Sequence, residues 1–257
     1  MSEYFVSPSG RPDAAGSQAD PWNFLRLMTY DPLPGDTIHL AAGSTFVGAL
    51  EWFYLSDPAR PGTLTRYGPD DAPNPVVASG TRNGLSCAGS GLVIRGVDFS
   101  GSGTAGIEVN NDLAGVPARN IQIEGVTARG YALGGIVFNA STPISDILIK
   151  GCKLTGNANG LFMSGASADG TNMLRRVLVL DCVADDNTLF NAASCGNGMS
   201  LAGVDELKVF GNRAFGNGNA AGTTGSGITL QQCRDFHVTF NHTGRTPQGP
   251  QGDGQGI

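Results

Sequence analysis

Lys153, Val183 and Arg213 are spaced by 30 and 30 positions, so two basic residues recur around a neutral one. A positioned Lys or Arg can move a proton or neutralise an anion at a reacting centre. Asp181, Asp185 and Asp186 lie around the middle of that interval. Carboxylate oxygens gathered in one place are what a hard cation such as Ca²⁺ requires, although turn aspartates also bond their own backbone. A second set is milder in charge: Glu108, Asn110, Asn139, Phe162 and Gln231 offer one acid, three amides and an aromatic ring. Amides suit the hydroxyl edges of a pyranose ring, and an aromatic suits its apolar face. Asp253 stands apart, in Gly252-Asp253-Gly254. His39, His237 and His242 have no metal-like or triad-like spacing and are expected in solvated or turn positions. Cys87, Cys152, Cys182, Cys195 and Cys233 contain no CxxC pair, which argues against a zinc site or a disulfide framework.

The elements that must position these residues emerge when short alternating segments are aligned. Leu92-Val93-Ile94-Arg95-Gly96, Ile121-Gln122-Ile123-Glu124-Gly125 and Ile147-Leu148-Ile149-Lys150-Gly151 open one register. It continues from Val177, Leu207 and Phe236, with steps of 29, 26, 30, 30 and 29. A second register begins with glycine at Gly106-Ile107, Gly135-Ile136, Gly160-Leu161, Gly198-Met199 and Gly227-Ile228, with steps of 29, 25, 38 and 29. The long step implies an insertion around Leu189–Cys195, and Gly256-Ile257 begins another copy. Two period-2 strands per coil cannot bury a core alone. Stacked in parallel, each coil covers the next, and the sheets lose their free edges except at the ends. The glycines, 39 among 257 residues, are expected at the two bends of each coil, where they supply backbone freedom.

This repeat resembles the right-handed parallel β-helix, or pectate-lyase-like, superfamily of bacterial polysaccharide-processing and surface proteins. The fold class that it implies is all-β: a single-stranded parallel solenoid with a short N-terminal capping helix. Tyr4-Phe5-Val6-Ser7-Pro8-Ser9-Gly10, Asp20-Pro21-Trp22 and Pro34-Gly35-Asp36-Thr37-Ile38-His39-Leu40 resemble the opening segment of such proteins. Residues 1–50 are expected to hold opening strands and the helix, and residues 51–257 the coils. Asp20 is the expected helix cap with Pro21 at the first helical position, and Trp22, Leu25 and Met28 share a face that would lid the core.

Each repeat position becomes a column along the axis. Val97, Val126, Cys152, Cys182, Asn212 and Asn241 face inward by parity, which stacks two free cysteines and begins an asparagine ladder. Asn157, Asn187 and Asn217 form another, structural by the same reasoning. In the polygalacturonase-like branch, acids precede the second-register strand. Here that column is Ala105, Gly134, Asn159, Asn197, Ser226 and Gln255, without a carboxylate. Glycosidic hydrolysis needs two carboxyl groups within about 10 Å, so this column argues against such a hydrolase. The outward strip of the same strands carries Glu108, Phe162 and the amides named above.

Lyase members of the superfamily use a Lys or Arg base and neutralise the uronate carboxylate, often with Ca²⁺. The resemblance therefore implies Lys153 and Arg213 as catalytic groups and Asp181, Asp185 and Asp186 as calcium ligands. Glu108, Asn110, Asn139, Phe162, Gln231 and Asp253 would contact substrate. The expected function is β-elimination on an acidic extracellular polysaccharide; the competing one is a non-catalytic carbohydrate-binding or structural module. With 16 basic and 22 acidic residues, the net charge of −6 disfavours a nucleic acid or an anionic membrane surface as partner. No apolar run approaches the ~20 residues of a membrane span. The opening residues lack the basic and apolar regions of a secretory leader, yet a secreted or cell-surface monomer is expected, its leader trimmed or its export signal C-terminal. The strand begun at Gly256-Ile257 has no cap, so a longer native chain is expected, with Asp253 opening a site completed downstream.

Overall fold

The computed structural model describes residues 1–111, 116–188, 196–218 and 225–244. Three parallel sheets run along one axis, and every strand pairing between named strands is parallel. The first sheet has nine strands: Glu3–Arg11, Thr37–Ala41, Gly62–Tyr67, Leu92–Arg95, Ala118–Glu124, Ile144–Lys150, Leu174–Leu180, Val204–Phe210 and His237–Thr239. The second has seven, from Leu50–Ser56 through Leu85–Ser90, Ala105–Asn110, Gly134–Asn139, Leu161–Ser164 and Met199–Ala202 to Ile228–Gln231. The third holds five strands ending at Lys153–Leu154, and single bridges at Val183 carry it on to a two-stranded piece, Arg213–Phe215 with His242–Gly244. Coiling is established by Thr37, so position 50 falls inside a coil.

Alternation explains the burial. Ile121 and Ile123, Ile147 and Ile149, Val177 and Val179, and Leu207 and Val209 are all buried, each registered on its counterpart in the next coil. Each such side chain contributes about 1.5–3 kcal/mol on burial.

The two recurrent glycine positions have different physical causes. The bend after the first-sheet strand is left-handed: Gly96, Gly125, Gly151 and Gly211 have φ of 59–69°, and Asp181 (50°) and Phe240 (57°) adopt the same conformation in their coils. The second-register glycines need close approach instead. A Cβ on Gly106 would stand 2.5 Å from the Gly135 carbonyl oxygen, and one on Gly198 2.5 Å from that of Gly227. Backbone freedom is thus the reason at one bend only.

The N-terminal helix is a single short turn, Phe24–Met28. Its cap is Asn23, whose Oδ1 accepts the Arg26 N–H at 2.9 Å. Asp20 is drawn off by Arg11 (2.9 Å) and the Ala15 N–H (3.0 Å), so it cannot cap. Trp22, Phe24 and Leu27 cover the core, whereas Leu25 is 62% exposed on the opposite side.

Asparagine ladders close the turns. Asn157, Asn187 and Asn217 are fully buried, and each successive Oδ1 accepts the backbone N–H of the asparagine one coil earlier, at 3.1 and 3.0 Å. Asn212 and Asn241 repeat the arrangement at 2.9 Å. Asn159, Asn197 and Ser226 form a third ladder, with bonds of 3.1 and 2.9 Å, in the column where hydrolase acids would have stood; Gln255 of that column lies outside the described residues. Cys152 and Cys182 stack in the core as free thiols. The Cys182 thiol and burial together push Cys152 well above the ordinary thiol range, so it stays protonated.

Candidate functional site

The third sheet brings the basic residues into one line. Lys153 is registered on Val183, Val183 on Arg213, and Arg213 on His242. Coils are about 4.8 Å apart, which puts Lys153 and Arg213 about 10 Å apart along the axis. Lys153, Arg213 and His242 are all exposed. An open cleft of about 550 Å³ lies at the C-terminal end of this column, lined by Asp185, Asp186, Asn212, Arg213, Phe215 and His242.

Within the cleft Arg213 Nε meets Asp185 Oδ2 at 2.9 Å, and the guanidinium sits over the Phe215 ring, 5.2 Å from its centroid. Asp185 Oδ1 accepts the Phe215 N–H at 2.8 Å, so this carboxylate fixes both the cation and the turn. Arg213 keeps most of its side chain, 60%, open to solvent. A planar cation held this way presents its remaining donors to an anion. His242 completes the column: it is registered on Arg213 at a step of 29, the coil period itself, so the spacing that aligns Lys153, Val183 and Arg213 also reaches it.

The three aspartates do not converge. Asp181 and Asp186 adopt left-handed turns, φ 50° and 55°, and their Oδ1 atoms lie over the backbone of Gly211 and Gly216 in the next coil. Among the described residues no group of three His, Cys, Asp or Glu side chains is arranged to hold a metal ion. The donor set as placed does not fit a calcium ion, since Asp185 is occupied by Arg213 and a backbone amide.

The second sheet carries the milder set. Its outward column runs Glu51, Ser86, Glu108, Val137, Phe162, Ser200 and Thr229, one per coil. Asn110 and Asn139 are registered neighbours in the adjacent outward column, and Gln231, registered on Ala202, lies further along. The strip is not continuous: Val137 is fully buried and Phe162 is half-buried, so the ring offers less of its face than an exposed aromatic would. Glu108 is held by Asn83 Nδ2 at 2.7 Å and approached by Asn139 Nδ2 at 3.4 Å. Asp253 lies outside the described residues.

Glu51 was hidden in the sequence because its strand opens Ala49-Leu50-Glu51-Trp52, with alanine where later copies have glycine. Gly84-Leu85-Ser86-Cys87 does show the glycine signature and could have extended the register backwards. Glu51 also pairs with Arg82, from the turn that supplies Asn83.

The sequence profile described as "Right handed beta helix region" matches residues 74–242, more than half of the chain. The chain belongs to the right-handed β-helix family. No curated protein matches it by sequence comparison. Among solved structures, this β-helix is similar to the GH136 lacto-N-biosidase from Eubacterium ramulus, with a TM-score of 0.70 and 15% identity, over 98% of this chain and 53% of that one. A rhamnogalacturonan lyase gives 0.62 and 13% over 98% and 66%, and a pectate lyase 0.55 and 16% over 98% and 82%. The β-helix thus spans about half the length of the first of these and about two thirds of the second. At such identities the likeness is one of fold. No helix among the described residues is long and apolar enough to cross a membrane.

Proposed function

We propose that this right-handed β-helix binds and processes an acidic extracellular polysaccharide, by β-elimination at the cleft around Arg213. The observation that carries the reading is the column Lys153–Val183–Arg213–His242, which lines up three basic side chains on one outward face and ends in a cleft of about 550 Å³. In β-elimination a base removes the proton next to the uronate carboxylate, electrons move to form a C=C bond, and the glycosidic oxygen leaves with the bonding pair and takes a proton from solvent. The carboxylate must be neutralised for that proton to become removable. Arg213, held by Asp185 and Phe215, pairs with it, and Lys153, about 10 Å along the column, with a further uronate of the same chain. His242, registered on Arg213 in the same cleft, takes the proton, imidazole being a suited acceptor. Two of the similar solved folds are named as lyases of rhamnogalacturonan and pectate, which supports an acidic polymer as the substrate class.

The test is incubation with pectate, rhamnogalacturonan and alginate, following the ultraviolet absorbance of the unsaturated product. Product that disappears in Arg213→Ala and His242→Ala supports the lyase. Retention on an immobilised uronate polymer, weakened by Arg213→Ala and without product, supports the competing binding module, which the satisfied Arg213–Asp185 pair favours. Calcium is read separately: a melting temperature raised by Ca²⁺ and unresponsive in Asp185→Asn would restore a cation to this turn.

A further inference from the structure

We propose that the first sheet carries a second binding site, for a small aromatic carboxylate. The ligand's ring lies against Phe210, and its anionic group pairs with Lys208 and His237. This goes beyond the polysaccharide reading and does not rest on it, because the Arg213 cleft belongs to the third sheet.

Register builds the site from three successive coils. Leu178, Lys208 and His237 form one outward column, and Leu180, Phe210 and Thr239 form the next. Two coil spacings and two residues along a strand give a face of about 10 Å by about 7 Å. A groove of about 380 Å³ lies over it, lined by these same six residues. That volume falls at the lower end of small-molecule pockets, about 300–1,000 Å³, and suits one ring or two fused rings.

Earlier coils treat the second of these columns as an ordinary solvated face. Arg95, Glu124 and Lys150 follow one another there, and Arg95 Nε pairs with Glu124 Oε1 at 3.1 Å. The next positions are Leu180 and Phe210, so the charges give way to an apolar wall. Phe210 is 43% exposed, and Phe240 stands against it just outside the groove, with ring centroids 5.2 Å apart at 63°. Phe240 is itself 77% exposed and occupies the left-handed bend, φ 57°, where four other coils place glycine. A bulky residue is strained in that conformation. Burial in the core does not repay the strain; setting the Phe210 ring edge to face for a ligand does.

Charge selects the ligand. The lining holds Lys208 and His237 and no carboxylate; Asp181, Glu206 and Asp235, the acids next to these positions, lie outside it. Neither Lys208 nor His237 makes an ion pair among the described residues. Lys150, registered on Leu180, borders the groove and adds a further cation. An anion is therefore drawn to this face although the chain as a whole carries −6. A uronate also carries a carboxylate, but its hydroxyls need partners. Thr239 is the one neutral polar side chain in the lining, against Leu178, Leu180 and Phe210, so a ring without hydroxyls loses less on leaving water.

The experiment titrates the intact chain with 2-naphthoate, by calorimetry and ligand-observed NMR, with 2-naphthalenemethanol as the uncharged counterpart. The expected result is one site for the acid, with the alcohol bound about 10-fold more weakly or worse, because a charge-assisted bond is lost. Lys208→Met should remove that preference and leave the alcohol unchanged. Phe210→Ser should weaken both probes by about 10-fold or more. Phe240→Gly installs the residue that other coils use at this bend. It should raise the melting temperature and still weaken both probes, which separates binding from folding. Arg129→Ala, which removes an exposed cation on the third sheet, should change neither affinity. No saturable binding at millimolar acid, equal affinity for acid and alcohol, or unchanged affinity in Lys208→Met and Phe210→Ser would overturn the proposal. So would displacement of 2-naphthoate by trigalacturonate, or a dimer that dissociates in Phe240→Gly, since the face would then serve a uronate or a second copy. Absence of lyase activity leaves these readings unaffected, so the two sites fail separately.

Discussion

Replacing Asn187 by alanine tests the device that holds the Arg213 cleft in shape. Asn187 follows Asp185 and Asp186 directly and is fully buried. Its Oδ1 accepts from the backbone N–H and the Nδ2 of Asn157, at 3.1 and 3.3 Å. Its Nδ2 donates to the Leu154 carbonyl and to Asn217 Oδ1, both at 3.0 Å. Truncation leaves the Asn157 N–H and the Leu154 carbonyl without these partners in the core. Each lost partner costs about 1–3 kcal/mol, so a loss of about 4 kcal/mol is expected. Asn217 Oδ1 still accepts the Asn187 backbone N–H at 3.0 Å, so the third rung contributes little to that loss. Urea titration followed by circular dichroism measures the change. Thr188→Ala, at the exposed next position, should stay within about 0.5 kcal/mol of the parent. An Asn187→Ala protein as stable as Thr188→Ala would falsify the claim that the ladder secures this turn.

Two further outcomes follow from backbone and protonation. Gly216 has φ 63°, and a Cβ there would stand 2.3 Å from Asp186 Oδ1. Gly216→Ala should cost at least about 1–2 kcal/mol for the left-handed backbone alone, and Asp186→Gly should recover part of the remaining cost in a double-mutant cycle; strict additivity would refute the contact. His39 stacks on Phe5, with centroids 4.6 Å apart, and burial lowers its pKa against the opposing pull of Glu3. A depressed histidine is neutral in the fold, so its contribution is complete above the unfolded value of about 6.5 and is lost as pH falls below it. His39→Phe should flatten the fall in melting temperature between about pH 7 and 5; an unchanged slope would show that other groups cause it.

How far the sequence could be read depends on whether a signal was local. The ladder at Asn157, Asn187 and Asn217 and the thiol stack at Cys152 and Cys182 were legible because each is one residue type recurring at the coil period. The column of Lys153, Val183 and Arg213 was legible from the 30-residue step alone, its residue types differing. The helix cap was not, because Arg11 and the Ala15 N–H compete for Asp20, and both reach it through the folding-back of the first strand. Glu51 was invisible for a different reason. Its coil and the next two are unequal, with Leu50, Leu85 and Ile107 separated by 35 and 22 positions, so periodicity alone cannot align them. The calcium expectation relied on three aspartates near in sequence, but left-handed turns at Asp181 and Asp186 send two of them onto neighbouring glycines.

By itself the sequence determined the parallel solenoid, because period-2 apolar segments recurring at nearly constant spacing can bury themselves only against their own copies. It also determined the inward columns, since parity is a local property of a strand. The tertiary structure alone decided which outward side chains share a cleft. That choice depends on the unequal coil lengths and on turns such as Thr81–Asn83, which add up to a register no single segment encodes. Coil register puts Glu51 two coils from Glu108, a pairing that steps of 35 and 22 positions hide from the sequence.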